Sequence, residues 1–370
     1  MRDFREQLGV ARLQLYNRPS GLASGDCLLF VASRLVFTGH RVALAASVWA
    51  GLAVLSACGG DVSRAYKPAT GPFEVEVVNP VTLDFPALKK QLLLRIAYPA
   101  ARGRYPLIIF SHGGRLSKDD YTDITDHWVS HGYIVVQPTH MDSASLGFSI
   151  AAAGPEGMLE AARTRRLDVK HVLDSLDELQ RLVPPLAQRL DRERIVSAGH
   201  SMGGATALTV AGLEMVDPRT GAREGFADPR FDALLLISEP GNNPIMPADP
   251  WRAVGLPTFV ATGSEDYSSR TGRRPSSDKR LYSFPPGFSL PPTPNHYLFI
   301  DGMDHYLGGL LNSLEVTPDG DPDLDALQIV NGVSTAFLDA YLKDDGAALQ
   351  FLAGAEMTSL TRGRAELDIR

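Results

Sequence analysis

The chain has 370 residues, 44% of them apolar and 21% charged, so it can bury a large core and is not a disordered protein. Its net charge is −7, although the first 57 residues carry six arginines and only three acidic residues, which leaves the rest of the chain still more acidic. A surface this acidic excludes nucleic acid as an expected partner and provides no basic patch for anionic lipid headgroups. The sequence gives no indication of an oligomeric state.

An uncharged apolar segment near the start predicts that the protein is exported. The segment, VALAASVWAGLAVLSACGG, runs from Val42 to Gly60 after a basic flank that includes Arg34 and Arg41. Its ending, LSAC, resembles the lipobox of bacterial lipoproteins, in which the signal is cut before a cysteine that is then acylated. The resemblance implies lipidation of Cys58 and a lipid anchor in the membrane of a bacterial cell envelope. An uncleaved membrane anchor and a plain cleaved signal remain open as alternatives.

Composition divides the chain into three parts. Residues 1–57 are predicted to be a leader with its export signal, and residues 58–72, small and polar with prolines and glycines, a tether. Residues 73–370 are predicted to form a single folded domain. Cys27 and Cys58 are the only cysteines, and no C-x-x-C or Cys/His ligand spacing occurs, so we expect neither a disulfide framework nor a metal site.

Beyond the tether, short apolar runs alternate with helical patterns. The runs predict strands at Phe73–Val78, Gln91–Tyr98, Leu107–Phe110, Tyr133–Val136, Ile195–Ala198, Leu234–Ile237, Thr258–Ala261 and Tyr297–Ile300. The helical patterns predict helices at about Asp120–Ser130, Met158–Leu182, Met202–Leu213 and Leu324–Leu342. Continuously apolar strands separated by helices are typical of a mostly parallel sheet covered by helices on both faces, so the predicted fold class is α/β. Tyr267–Pro294, rich in arginine and proline, is predicted to be a long surface excursion.

The stretch Gly199-His200-Ser201-Met202-Gly203 ends one apolar run and opens a helical pattern. In such a G-x-S-x-G turn the strand stops, the serine is forced into a strained conformation and the next helix leaves at once. Glycines flank the serine because larger residues would collide with the neighbouring strand and helix. The turn presents the serine oxygen at the sheet edge, beside the N-terminal N–H groups of the helix. Ser201 is therefore the predicted nucleophile.

A serine hydroxyl needs a base within hydrogen-bond reach, and that base must be oriented by a third group. In this arrangement the acid and the histidine follow the serine in the chain, each at the C-terminal end of a later strand. Only His296 and His305 lie beyond Ser201, and His296 precedes its strand and would lie at the opposite edge of the sheet. His305 is therefore the predicted base, and His296 a strand-end or surface histidine.

Two carboxylates follow the strand that precedes this histidine, in the sequence GSED. Asp266 is the predicted acid, Glu265 is the alternative, and Glu239, after the strand before that, is the third choice. Asp301 and Asp304 are close to the histidine in sequence, but adjacent side chains usually diverge, so we interpret them as solvated loop acids.

Acyl transfer also requires N–H donors for the oxyanion of its tetrahedral intermediate. The first predicted donor is the backbone N–H of Met202, immediately after the nucleophile. The second is the N–H of Gly114 in the sequence FSHGG, which follows an early strand and has residues small enough to let an amide face the cleft. We interpret His112 as a turn residue of this loop. His140 closes another strand at the same edge and is either a hydrogen-bonding support or a pocket-lining residue.

The sequences FSHGG, SHGYIVVQPTHMDSAS, RTRRLDVKHVLDSL, GHSMGG, GSED and DGMDHYLGG resemble those of α/β-hydrolases over nearly all of the predicted domain. Within that superfamily they are similar to dienelactone-hydrolase-like proteins, platelet-activating-factor acetylhydrolases and bacterial cutinase-type polyester hydrolases. The resemblance implies the α/β-hydrolase fold. It also implies Ser201 as nucleophile, Asp266 as acid, His305 as base, and the amides of Gly114 and Met202 as the oxyanion hole.

The sequence thus predicts a serine carboxylic-ester hydrolase that works through an acyl-enzyme, on small-molecule esters of short or medium chain length, with no metal or organic cofactor. Two alternatives remain. The same fold could cleave another acyl bond, such as a thioester, an amide or a phospholipid acetyl ester, which a substrate panel distinguishes. The protein could also be a lipoprotein that uses the scaffold for binding alone, in which case it would not react with a fluorophosphonate probe.

Overall fold

The computed structural model describes residues 66–238, 254–266, 294–308, 311 and 322–369. The export signal, Cys58 and most of the tether lie outside these residues and stay predictions, and Glu239 and residues 267–293 lie outside them as well. Within the part of the chain that is described, no helix combines the length and the apolar character needed to cross a bilayer.

The elements alternate along the chain as the apolar runs predict. The strands are β1 Val75–Phe85, β2 Lys90–Pro99, β3 Tyr105–Ser111, β4 Ile134–Pro138, β5 Leu190–His200, β6 Met215–Val216, β7 Arg223–Glu224, β8 Ala233–Ile237, β9 Thr258–Glu265, β10 Asn295–Asp304 and β11 Ala365–Ile369. The α-helices are α1 Thr122–Ser130, α2 Ile150–Asp174, α3 Leu176–Leu182, α4 Met202–Val210, α5 Leu324–Leu342, α6 Gly346–Gly354 and α7 Met357–Leu360.

Nine of the strands in the described ranges form one sheet, in the order β1-β2-β4-β3-β5-β8-β9-β10-β11. The six central strands, from β4 to β10, are parallel to their neighbours, whereas β1, β2 and β11 pair antiparallel at the two edges. The short strands β6 and β7 form a separate hairpin. The predicted α/β-hydrolase fold, with its mostly parallel sheet, is confirmed.

Helices cover both faces of the sheet because successive side chains of each buried strand point to opposite sides. In β3, Ile108 and Phe110 pack in a core shared with α1, α5, α6 and α7. Leu107 and Ile109 pack on the other face, in a core shared with α2, α3 and the end of α4. Since the central strands are parallel, their carboxyl ends all reach one edge, where the loops that carry the predicted site residues begin.

The structure differs from the predicted elements at three places in the chain. The helix predicted over Met158–Leu182 begins earlier, as α2, contains a non-helical bend at Gly154 with φ 62°, and is followed by a separate α3. After α5 the chain forms two further helices, α6 and α7, and the edge strand β11, none of which was predicted from the sequence. The first strand continues to Phe85 after a shift of register between Val78 and Val81.

The last residues of the predicted tether lie against the domain. The hydroxyl of Tyr66 donates to Asp339 at 3.0 Å, and the ammonium of Lys67 contacts the same carboxylate at 2.6 Å. Further along, the N–H of Gly71 donates to the hydroxyl of Ser130 at 2.8 Å. Residues 66–72 are thus attached to α5 and α1 by hydrogen bonds.

Candidate active site

The turn between β5 and α4 holds its serine in a conformation that few residues adopt. Ser201 has φ 53° and ψ −120°, and a positive φ is strained for any residue with a side chain. A Cβ on Gly199 would lie 2.3 Å from the carbonyl of Gly203, and a Cβ on Gly203 would lie 1.9 Å from the carbonyl oxygen of Ser111. The glycines therefore allow α4 to start in direct contact with the ends of β5 and β3, which presents Ser201 at the edge of the sheet.

Three side chains from three strand ends meet at this edge. Ser201 follows β5, Asp266 follows β9 and His305 follows β10. Oγ of Ser201 lies 2.9 Å from Nε2 of His305, and Nδ1 of His305 lies 2.7 Å from Oδ1 of Asp266. Because an ionised carboxylate only accepts hydrogen bonds, the ring donates from Nδ1, and Nε2 is left to accept the serine proton. The arrangement is the one expected of a nucleophile beside a base that an acid orients.

Asp266 is fully buried and is held by a hydrogen bond at each oxygen. Thr262 donates its hydroxyl to Oδ2 at 2.7 Å, opposite the bond from His305 to Oδ1. Burial by itself would raise the pKa of Asp266, but the hydrogen bonds from His305 and Thr262 outweigh that effect and hold the pKa below its ordinary value. The carboxylate is therefore ionised at neutral pH. Glu265 is the exposed last residue of β9, and it is not among the described hydrogen-bond partners of His305.

The loop that carries His305 is shaped by the residue before it. Oδ1 of Asp304 accepts the backbone N–H of Tyr306 at 2.9 Å and that of Gly308 at 2.8 Å. A short acidic side chain that bonds the backbone just ahead of it stabilises a tight turn. Asp304 therefore fixes the backbone beside the base, a role that its interpretation as a solvated acid did not include, whereas Asp301 is exposed as expected.

Gly114 and Met202, the predicted oxyanion donors, lie side by side. A Cβ on Gly114 would be 2.7 Å from the sulfur of Met202. Met202 is the first residue of α4, so its N–H has no acceptor within the helix. The HGG loop, residues 112–114, carries the other predicted donor. Its middle N–H, from Gly113, already donates to the hydroxyl of Tyr121 at 2.7 Å, so the N–H of Gly114 remains the candidate donor.

A buried hydrogen-bond path joins the HGG loop to the base. The hydroxyl of Tyr121 accepts the N–H of Gly113 and donates to Nδ1 of His200 at 3.0 Å, and Nε2 of His200 donates to the backbone carbonyl of His305 at 2.7 Å. Burial, with His305 nearby, lowers the pKa of His200 to about 3, so the ring is neutral, with one donor and one acceptor. Neither residue was assigned a role from the sequence. The position of His200 beside Ser201 in the sequence could have indicated its role, whereas nothing in the sequence indicated a role for Tyr121.

The remaining histidines named by the sequence analysis are buried. The N–H of His140 donates to Nε2 of His112 at 2.8 Å beneath the HGG loop, and the ring of His140 is wholly buried, which agrees with support and not with pocket lining. His296 is the second residue of β10, as a strand-end histidine should be, but its ring is buried with Nε2 2.8 Å from the hydroxyl of Tyr341, so the surface alternative is wrong. Among the residues that the structure describes, no group of His, Cys, Asp and Glu side chains is suited to a metal ion.

The sheet, the serine turn and the order of the strand-end residues define a member of the α/β-hydrolase superfamily, and the chain belongs to that superfamily. More particularly, the family model described as Chlorophyllase matches residues 68–220, a range that includes the serine turn and the HGG loop and ends before Asp266 and His305.

Individual relatives show the same likeness. Chlorophyllase-1 from Arabidopsis thaliana is 31% identical over 134 residues, which are 36% of this chain and 36% of the relative. Chlorophyllase type 0 from Chenopodium album is 24% identical over 312 residues, 75% of this chain and 78% of the relative. Platelet-activating factor acetylhydrolase from Cavia porcellus is 31% identical over 140 residues, 28% of this chain and 31% of the relative. The match to Chlorophyllase-1 thus spans little more than a third of that protein's length.

Proposed function

We propose that the protein is a serine carboxylic-ester hydrolase. The observation that carries this proposal is the alignment of Ser201, His305 and Asp266, with hydrogen-bond distances of 2.9 and 2.7 Å, at a strained turn between a strand and a helix. The similarity to chlorophyllases and to platelet-activating factor acetylhydrolases supports the same class of reaction.

In the first half of the reaction Oγ of Ser201 attacks the ester carbonyl carbon while its proton passes to Nε2 of His305. The carbonyl oxygen becomes an oxyanion, which accepts hydrogen bonds from the N–H groups of Gly114 and Met202. His305 then gives its proton to the leaving alcohol oxygen as the carbon–oxygen bond breaks. The acyl group is left as an ester of Ser201.

In the second half a water molecule replaces the alcohol. His305 takes a proton from the water, whose oxygen attacks the acyl carbon, and the same two N–H groups stabilise the new oxyanion. The bond to Oγ breaks, His305 returns its proton to Ser201, and the carboxylic acid departs. Asp266 keeps Nδ1 protonated throughout and stabilises the imidazolium that forms in each half, so the chemistry needs no metal or organic cofactor.

The test is hydrolysis of nitrophenyl esters with acyl chains from acetyl to palmitoyl, by wild-type protein and by Ser201→Ala. We expect turnover of the short and medium chains by wild type and a loss of about 10⁶-fold in kcat in the variant, since removal of a triad nucleophile leaves only binding and the oxyanion hole. Circular dichroism provides the control that the variant is folded. Turnover by Ser201→Ala close to that of wild type would contradict the assignment.

The same panel identifies the substrate class. Platelet-activating factor and chlorophyll belong in it, because they appear in the names of the relatives, together with a thioester and an amide of matched acyl chain. A fluorophosphonate probe that labels wild type but not Ser201→Ala supports the nucleophile independently of the substrate. No labelling of wild type would favour a scaffold that binds without chemistry.

A further inference from the structure

Two arginines that follow each other in α2 are both buried, with Arg165 1% and Arg166 2% exposed. The guanidinium of Arg165 donates from Nε and Nη2 to the two oxygens of Asp142, each at 2.8 Å. A guanidinium has five N–H groups, so a fork to one carboxylate leaves three for other acceptors. Burial of an ion pair is costly unless those groups are also bonded, and here the remaining acceptors belong to the HGG loop.

Arg165 holds the first two backbone carbonyl groups of the HGG loop, those of His112 and Gly113. Nη1 donates to the carbonyl oxygen of His112 at 2.6 Å, and Nη2 donates to that of Gly113 at 3.1 Å. The ring of His112 adds a further contact, with Nδ1 2.7 Å from the carbonyl oxygen of Gly113. Since Nε2 of His112 accepts the N–H of His140, Nδ1 carries the ring proton and donates it.

The direction of these two carbonyls decides the direction of the N–H groups that follow them. A trans peptide is planar, and its C=O and N–H point to opposite sides of the chain. With the carbonyl of His112 toward Arg165, the N–H of Gly113 points away, and it does so, toward the hydroxyl of Tyr121. With the carbonyl of Gly113 toward Arg165, the N–H of Gly114 is likewise turned away from that guanidinium, and Gly114 adjoins the side chain of Met202.

We propose that Arg165, oriented by Asp142, is the positioning residue that turns the N–H of Gly114 into the oxyanion hole. The proposal rests on the proposed ester hydrolase function. Glycines allow the peptide between residues 113 and 114 to rotate more readily than other residues would, so the loop needs an external constraint to keep one orientation. None of the described contacts of Arg165 is with Ser201, His305 or Asp266, so its effect passes through the HGG loop.

Arg166 is a matched control within the same helix. It is as deeply buried as Arg165, but its guanidinium bonds the carbonyl of Ala162, in its own helix, and lies 5.7 Å from the ring centre of Phe226. None of its described contacts reaches the HGG loop. A substitution of Arg166 therefore removes a buried arginine from α2 without changing the constraint on the peptide.

The experiment compares wild type with Arg165→Lys, with the double variant Arg165→Met/Asp142→Asn, and with Arg166→Met. The double variant removes both charges, so that no unpaired carboxylate is left buried. For each protein kcat, KM and the pH profile of kcat are measured with a short nitrophenyl ester, the unfolding free energy is measured in urea, and the crystal structure is determined.

We expect kcat of both Arg165 proteins to fall about 100-fold, the loss of one oxyanion donor, with KM within about threefold of wild type. The pH profile should keep its shape, because the triad is intact, and the crystal structures should show the peptide between Gly113 and Gly114 rotated. Arg166→Met should lose stability but keep kcat within about threefold. If the double variant does not fold, Arg165→Lys decides, since a lysine keeps the charge beside Asp142 but cannot bond both carbonyls.

Two results would overturn the proposal: kcat within about threefold of wild type in a folded Arg165 variant, or an unrotated peptide in its crystal structure. If wild type hydrolyses no ester, the proposed function fails, and the orientation of the peptide still decides whether Arg165 positions it.

Discussion

Replacement of Asp266 by Asn tests the member of the site that is hardest to choose from sequence, because Glu265 precedes it directly. Asp266→Asn keeps the size of the side chain and the acceptor for Thr262, but it removes the negative charge 2.7 Å from Nδ1 of His305. The imidazolium that forms when Ser201 attacks then has no counter-charge. An amide group can also donate to Nδ1, which stabilises the tautomer that protonates Nε2 and cannot accept the serine proton.

The size of the effect follows from the geometry. Asp266 is fully buried, and the charge centres of carboxylate and imidazolium are about 4 Å apart, so their attraction at an effective dielectric constant of 20 is about 4 kcal/mol. That energy corresponds to about 10³-fold in rate, and the wrong tautomer adds to it, so we expect kcat to fall by 10³- to about 10⁴-fold. KM should change little, since Asp266 does not contact the substrate.

The assay is initial-rate hydrolysis of a short-chain nitrophenyl ester at pH 8, with Ser201→Ala as the baseline. Glu265→Gln is the matched control, because it removes an adjacent carboxylate that is exposed and outside the hydrogen bonds of His305, and it should keep kcat within about threefold of wild type. The reasoning is refuted if folded Asp266→Asn keeps more than a tenth of wild-type kcat, or if Glu265→Gln loses as much activity as Asp266→Asn.

Two further predictions concern stability. Gly203→Ala should lower the free energy of unfolding in urea by about 3 kcal/mol, because the new Cβ would lie 1.9 Å from the carbonyl oxygen of Ser111 and the backbone must move. The control is Gly346→Ala, whose Cβ meets no atom within 4 Å and which should change that free energy by less than about 1 kcal/mol. Equal losses in the two variants would contradict this account of the serine turn. Burial lowers the pKa of His200 from 6.5 to about 3 in the folded protein. As the pH falls below 6.5 the unfolded chain therefore takes up a proton that the folded protein does not. This residue alone should lower the free energy of unfolding by about 2 kcal/mol between pH 7 and pH 5. Urea unfolding of wild type and of His200→Asn at both pH values measures the difference, and an unchanged pH dependence in the variant would count against the buried neutral ring.

The residues that sequence reasoning brought together share one property, which is a position at the end of an apolar run. Ser201, Asp266 and His305 each follow a buried strand, and in a parallel sheet such ends meet at one edge whatever the distance between them in the chain. The strand order did not have to be known. The short helix α7 had no comparable signal, because an element of four residues shows too few turns for a period to be read.

Contacts that depend on tertiary packing could not be predicted from the sequence. Tyr121 precedes a helix, and its bond to His200 spans 79 positions of the chain. Arg165 was part of the quoted sequence RTRRLDVKHVLDSL, but the pattern does not tell which of two neighbouring arginines faces the HGG loop. A shift of one residue moves a side chain by about 100° around a helix, so Arg165 and Arg166 have different neighbours although both are buried.

The buried path through Tyr121 and His200 sets the relative position of the two halves of the site. Its hydrogen bonds have a single possible direction: the carbonyl of His305 can only accept, so Nε2 of His200 must donate, and Nδ1 must then accept from Tyr121. A protonated His200 would present a second N–H to the hydroxyl of Tyr121, which already accepts the N–H of Gly113. The path is therefore complete only while His200 is neutral, and a pKa of about 3 keeps it so at neutral pH. The backbone of His305 and the HGG loop are thus linked independently of Asp266 and of Arg165.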